Sequence, residues 1–472
     1  MTNPFLKSVV MAALLAAPWL AADKGPVLPK DLPAYGATRP VSAPPVKQLR
    51  LDNGLEVWLA PMSGFPKVAF AVSARGGYAA DPKDRPGMAD LIAAVVSQGT
   101  KTRSARQVAE ELQAAGGDLN TDASADSITL TTSVLSSKTD PALAVLADVL
   151  RNAAFADEEV RIAKSNAAST LEANEAEPGF LATRALYRNL FGDHPYAVTA
   201  PTRESIANTT ATDLRKEYAR RFRPDGMVLV AVGDFDEARL AAAIRTNLES
   251  WKPAEMAPVP GVEKPKLSVS RAVVYVPRAN SVQTALYLGT FGPSRGDPDY
   301  AATRVANTIY GGSFGSRLVS NIREDKGYTY SPFSMVRPLR EVGVLQTRAD
   351  VRNAVTGASY NEISYELNRI ATTAPGKHEL ESAKRYLNGS LALQLQSREA
   401  VSRSLSTLWV NSLPPDELGA QSRKIEDVSI EDVEKAGRSY FPAWRMTIVA
   451  VGEEKVVKEQ LAPLGFEFKK SE

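Results

Sequence analysis

The chain repeats itself. The stretch 206-IANTTATDL-214 aligns with 425-IEDVSIEDV-433 at an offset of 219 residues. In each copy a hydroxyl residue, Thr210 or Ser429, precedes an Asp by three positions, the spacing of a helix-start box. Both copies then run through a proline into a strand that ends alike, 227-MVLVAVGD-234 and 446-MTIVAVGE-453. A chain of 472 residues patterned this way folds as one unit duplicated in tandem. The joint is 252–267, KPAEMAPVPGVEKPKL, whose four prolines make it a linker. It separates an N-terminal domain over 48–251 from a C-terminal domain over 268–472.

Each domain mixes strands with long helices. Asn53-Gly54 marks a hairpin turn inside 50-RLDNGLEVWLAP-61, and 67-KVAFAVSARGG-77 alternates like a strand. Over 84–100, Met88, Leu91, Ile92, Val95 and Val96 recur at helical spacing, with Asp84 as the cap and Pro86 in the first turn. Further helices are predicted from Ser104 to Gly116, from Asp140 to Ala154, over 157–177 and over 180–191, with a strand around Ser127–Ser133. Hairpin and crossover order together indicate an α+β fold, two tandem homologous domains of helices layered on sheets.

Composition removes several chemistries. There is no cysteine, hence no disulfide, thiolate metal site or cysteine nucleophile. The only histidines are His194 and His378, so a zinc site with two imidazole ligands would need both. A net charge of +2 gives no electrostatic case for nucleic acid, and 215-RKEYARRFR-223 reads as the solvated face of a helix. Residues 1–22 read as a signal peptide, with Lys7, an apolar run from Val9 to Ala17, and small residues for cleavage after Ala22. The run is too short for stable membrane insertion, and Pro18 breaks it. Residues 23–47 form a Pro-rich extended arm, and the mature chain is expected in the periplasm.

The stretch 310-YGGSFGSRLVSNIREDKGYTYSP-332 carries the chemistry. Leu318, Val319 and Ile322 give a helix with a buried stripe, Gly327 a turn, and Tyr328 and Tyr330 the alternation of a strand. Arg323 closes that helix and Tyr330 opens the strand. Both are hydrogen-bond donors that can be aimed at one carbonyl oxygen. The run Gly311-Gly312-Ser313-Phe314-Gly315 also fits G-x-S-x-G, but a helix over 298–310 precedes it where a nucleophile elbow needs a strand. The glycines instead let backbone approach a peptide or a neighbouring helix.

The runs 311-GGSFGSRL-318 and 322-IREDKGYTY-330 resemble the C-terminal half of the pitrilysin/insulinase family of zinc peptidases, which includes mitochondrial processing peptidase. The resemblance implies that Arg323 and Tyr330 grip a substrate carbonyl, with Gly311, Gly312 and Ser313 beside the peptide. The family's metal helix, His-x-x-Glu-His, corresponds to 87-GMADLIAAVVSQGT-100, where the three positions are Asp90, Ala93 and Ala94. Both imidazole ligands and the base are missing. The family's further Glu ligand could match Glu158, Glu159 or Glu172. His194, in 191-FGDHPY-196, resembles the family's structural His-Pro-Tyr turn, and His378 is expected to be exposed and inert. The implied function is a noncatalytic, substrate-binding subunit of a heteromeric zinc peptidase. No metal is expected in this chain; zinc would sit in a paralogous partner bearing His-x-x-Glu-His. The alternative is a non-enzymatic peptide-binding or assembly protein of the same fold.

Overall fold

The structure is a computed structural model, and it describes residues 41–267 and 272–471. The signal peptide (1–22) and most of the arm (23–47) lie outside the described residues. The strands are β1 (Lys47–Arg50), β2 (Glu56–Pro61), β3 (Lys67–Arg75), β4 (Asn120–Ala123), β5 (Ser127–Leu135), β6 (Met227–Gly233), β7 (Val273–Pro277), β8 (Gln283–Gly292), β9 (Phe333–Pro338), β10 (Gly343–Arg352), β11 (Thr447–Gly452) and β12 (Phe468–Lys470). The first half carries helices α1 (Met88–Val95), α2 (Ala105–Ala114), α3 (Thr139–Asn152), α4 (Asp157–Glu175), α5 (Pro178–Phe191), α6 (Arg203–Asn208), α7 (Ala211–Arg221) and α8 (Glu237–Leu248). The second carries α9 (Tyr300–Tyr310), α10 (Arg317–Val319), α11 (Thr356–Thr372), α12 (Lys377–Gln394), α13 (Arg398–Val410), α14 (Glu417–Glu426), α15 (Ile430–Tyr440) and α16 (Glu454–Leu461). Among the described residues no helix is long and apolar enough to cross a membrane.

Each half builds one six-stranded sheet, in the orders β1-β2-β6-β3-β5-β4 and β12-β7-β11-β8-β10-β9. All but the first strand of each order, β1 and β12, correspond one to one. In both sheets the strand that ends the repeat, β6 or β11, pairs parallel to one neighbour and antiparallel to the other. The capping boxes read from the sequence are present: Thr210 accepts from the Asp213 amide and Ser429 from the Asp432 amide. This is the α+β duplication, and each half has its own core of helices on one face of its sheet.

The other face of each sheet is covered by the opposite half. Helix α5, from the first half, packs on β8 and β11, burying Leu186, Tyr187 and Leu190 there. Helix α13, from the second half, packs on β3 and β6 through Val401, Leu405 and Leu408. Each such side chain is worth about 1.5–3 kcal/mol of burial, so neither sheet is complete without the partner half. Arg75, at the end of β3, fastens the exchange: its guanidinium lies 4.1 Å from the Trp409 ring and donates to the Trp409 carbonyl at 2.8 Å.

Two local expectations are corrected. The Asn53-Gly54 turn is wider than a two-residue hairpin, because strand pairing resumes only at Arg50↔Glu56. The Asn53 amide is drawn away to the carbonyls of Leu248 and Trp251, and Gly54 takes φ +94°. Helix α1 begins at Met88, not after Asp84. Its N-cap is Gly87, and the amides of Gly87 and Ala89 donate to the side chain of Asp81 at 2.8 and 3.1 Å. Gly87 sits at φ +93°, where a Cβ would stand 2.4 Å from Pro201. Asp81 is held in turn by Arg221, a fully buried cation that also pairs with Glu217.

Candidate functional site

The Arg323–Tyr330 stretch is not the helix and strand its periodicity predicts. After the single α-turn of α10, capped by Ser316, the chain widens into a π-helix over Ser320–Asp325. Such π-turns concentrate at functional sites because they displace one side chain from regular helical position. The Tyr328–Tyr330 segment is not a strand: only Thr329 bridges, to Val351, and β9 starts at Phe333. Anchors on both sides fix the geometry. Arg317 makes a bidentate pair with Glu379 at 2.7 and 2.8 Å, and Asn321 donates to Glu362 and Glu366 on α11. Tyr328 donates its amide to the Ile322 carbonyl, and the Thr329 hydroxyl donates to the Asp350 carbonyl at 2.7 Å.

These anchors bring the two expected residues together. The Arg323 guanidinium carbon lies 4.7 Å from the Tyr330 ring centroid and 4.7 Å from that of Phe314. The cation is thus stacked between two rings, while its Nε faces Glu324 at 3.2 Å. Tyr330 is 79 % exposed and Phe314 68 % exposed, so the stack is presented to solvent. Phe314 is the member that sequence reasoning missed; its place in the Gly-Gly-Ser-Phe run was the available signal.

Gly311, Gly312 and Ser313 lie at the end of α9. The amides of Gly311 and Gly312 both donate to the Asn307 carbonyl, and the Ser313 hydroxyl donates to the Thr308 carbonyl. A Cβ on Gly312 would stand 2.7 Å from the Asn307 amide nitrogen, so the glycines serve a close approach of this loop to α9. Their donors are used within the loop, and what the loop offers outward is Phe314.

The second feature is the emptied helix. Asp90, Ala93 and Ala94 lie on α1. Ala93 is buried, and its carbonyl accepts from Thr121 on β4 at 2.5 Å. Asp90 and Ala94 face α4 across an open cleft of about 540 Å³. Of the three acidic candidates on α4, Glu159 lines this cleft, Glu158 pairs with Arg161 outside it, and Glu172 is exposed away from it. Asn166 and Thr170, which the sequence reading did not single out, complete the α4 wall. Water reaches Asp90, but the cleft walls strip away much of its solvation and push its carboxyl up to about 6.

Zinc does not fit this donor set. Two carboxylates and no imidazole line the cleft, and among the described residues no three His, Cys, Asp or Glu side chains converge. His194 is a turn residue: its Nδ1 accepts from the Tyr196 amide and its Nε2 contacts the Glu263 carbonyl at 2.8 Å. His378 is exposed at the start of α12.

Two family models match in tandem. Residues 61–201 match Insulinase (Peptidase family M16), and residues 208–387 match Peptidase M16 inactive domain. The chain belongs to the insulinase family. A solved M16 inactive domain from Pseudomonas fluorescens superimposes with a TM-score of 0.81 at 25 % identity, covering 91 % of this chain and 100 % of that one. An uncharacterized zinc protease of Mycobacterium tuberculosis is 25 % identical over 409 residues, covering 86 % of this chain and 93 % of the relative. A protein of Helicobacter pylori named as a non-peptidase homolog is 27 % identical over 407 residues, 84 % of this chain and 90 % of its own length. The M16 family thus includes both kinds of relative, and this chain's α1 lacks the residues that hold metal.

Proposed function

We propose that this chain is the noncatalytic, substrate-binding subunit of a heteromeric zinc metallopeptidase of the periplasm. Its partner is an M16 paralogue that carries His-x-x-Glu-His and supplies the metal chemistry. The observation that carries this reading is a pairing of loss and retention. The metal positions are Asp90, Ala93 and Ala94, yet Arg323, half-buried, lies against the exposed ring of Tyr330. A chain with no use for a substrate carbonyl has no reason to hold a cation and a phenol together in water, where the stack returns only about 0.5–1 kcal/mol.

In the proposed role the two side chains act as donors. Arg323 and Tyr330 bind the peptide carbonyl, orient it, and donate as charge grows on its oxygen. The stack limits the rotamers of Arg323, so little freedom is lost on binding. Loss of one such donor lowers turnover by about 10²-fold or more. The test is reconstitution with the His-x-x-Glu-His paralogue and a fluorogenic peptide. Arg323→Ala and Tyr330→Phe should assemble normally and cut about 100-fold more slowly. Undiminished turnover would overturn the role. The similarity to a non-peptidase homolog keeps one other reading in view, a peptide-binding or assembly protein without hydrolysis; absence of cleavage by any paralogue pair, with peptide still bound, would favour it.

A further inference from the structure

Positive charge collects where the two halves meet the linker. A cavity of about 190 Å³ there is lined by Arg75 at the end of β3, by Arg220, Arg221 and Arg223 in and just after α7, and by Arg340 in the β9–β10 turn. Asp126 is the one acidic side chain among the lining residues. Its two oxygens are already engaged, by the Tyr196 hydroxyl at 2.7 Å and the Arg340 amide at 3.0 Å. The linker closes one side, so near that a Cβ on Gly76 would stand 2.3 Å from Val259. Three of the five cations are compensated from behind: Arg221 by Asp81 and Glu217, Arg220 by Glu217, and Arg223 by Asp225. Arg75 is not. It makes no ion pair among the described residues and donates only to uncharged groups, the Trp409 carbonyl and the Ser412 hydroxyl. Its Nε is shut off from water and finds no acceptor. Arg340 has only Glu341, at 3.5 Å and open to solvent, a pairing of little strength. Burial, and after it the charge of Arg340, lower the hold of the Arg75 guanidinium on its proton.

We propose that this cavity binds a small tetrahedral oxyanion, of the phosphate or sulfate type, between Arg75, Arg220 and Arg340. Two half-buried guanidiniums that line one cavity with no free carboxylate between them are unfavourable until an anion completes them. The guanidinium fork matches the oxygens of such an anion, and several forks can share one. Size selects the class. Pockets for organic ligands begin at about 300 Å³, whereas 190 Å³ holds a small ion and a few waters of about 30 Å³ each. Arg75 and Arg220 come from the first half, Arg340 from the second, and the linker lies across them. A bound anion therefore ties three separate segments together. This site stands apart from the Arg323–Tyr330 stack and does not depend on peptide hydrolysis.

The test is isothermal titration calorimetry of the purified chain, in chloride buffer at fixed ionic strength, with phosphate, sulfate or acetate. Phosphate and sulfate should saturate one site per chain, and acetate should bind about tenfold more weakly. Arg340→Gln keeps the backbone bond to Asp126 and should weaken phosphate about tenfold, as should Arg220→Gln; Arg106→Gln, on the exposed face of α2, should leave it unchanged. Phosphate should also slow limited proteolysis within the 252–267 linker of the wild type but not of Arg340→Gln. The proposal is overturned if no anion binds saturably, if acetate binds as tightly as phosphate, or if both Arg340→Gln and Arg220→Gln bind phosphate like the wild type.

Discussion

Replacing Asp90 by Asn tests the physical state of the cleft without any ligand. The carboxyl rises from 3.8 to about 6 because the folded protein withholds water from its charged form. The sign follows. A folded-state value above the unfolded one means the ionised form is disfavoured by folding, so stability is full below about pH 4 and declines as pH rises through 6. Two pKa units correspond to about 3 kcal/mol for a group shut off from water. Asp90 is open to solvent at the cleft mouth, which screens most of this, and its place in the first turn of α1 returns about 0.3–1 kcal/mol through the helix dipole. About 1 kcal/mol remains. Asp90→Asn keeps shape and removes the charge, so the variant should be about 1 kcal/mol more stable than the wild type at pH 8 and equal to it at pH 4. Urea melts at both pH values, with m checked for constancy, read the difference. A variant less stable than wild type at pH 8 would refute the claim that this carboxylate is held unpaired.

Other perturbations probe the frame and the stack. Leu186→Ala should cost about 2–5 kcal/mol by thermal or urea melting, although Leu186 belongs to the first half, because its cavity opens against the second sheet. Gly437→Ala should cost about 1–3 kcal/mol, since its Cβ would stand 2.2 Å from the Ile370 carbonyl and force α15 off α11. Arg317→Ala breaks the bidentate pair with Glu379 and should cost about 2 kcal/mol, with faster proteolysis of the 311–332 loop as a second readout. Phe314→Ala removes one face of the Arg323 stack and should lower kcat/KM of the reconstituted pair two- to fivefold, with melting unchanged.

Much of this molecule was readable where physics is local. The boxes at Thr210 and Ser429 cap their helices through residues three positions away, so a short window contains the whole interaction. The cap of α1 is hidden for the opposite reason: Asp81 reaches over several residues and is itself held by Arg221, 140 positions on. Periodicity likewise misplaced the Tyr330 segment, because the π-turn and the Thr329 bridge to Val351 are decided by Glu362, Glu366 and Asp350 on other elements.

The order of residues alone determined that the chain is a duplication, that the helix over 87–100 carries no histidine, and that Arg323 and Tyr330 stand on either side of Gly327. Those are matters of which atoms are present. Only the tertiary structure decided that the halves exchange α5 and α13, that Phe314 joins Arg323 and Tyr330 in one stack, and that Asp90 and Glu159 share a cleft with no cation. Whether a charge is paired, and which sheet a helix covers, depends on groups far apart along the chain, and no window on the sequence contains both partners.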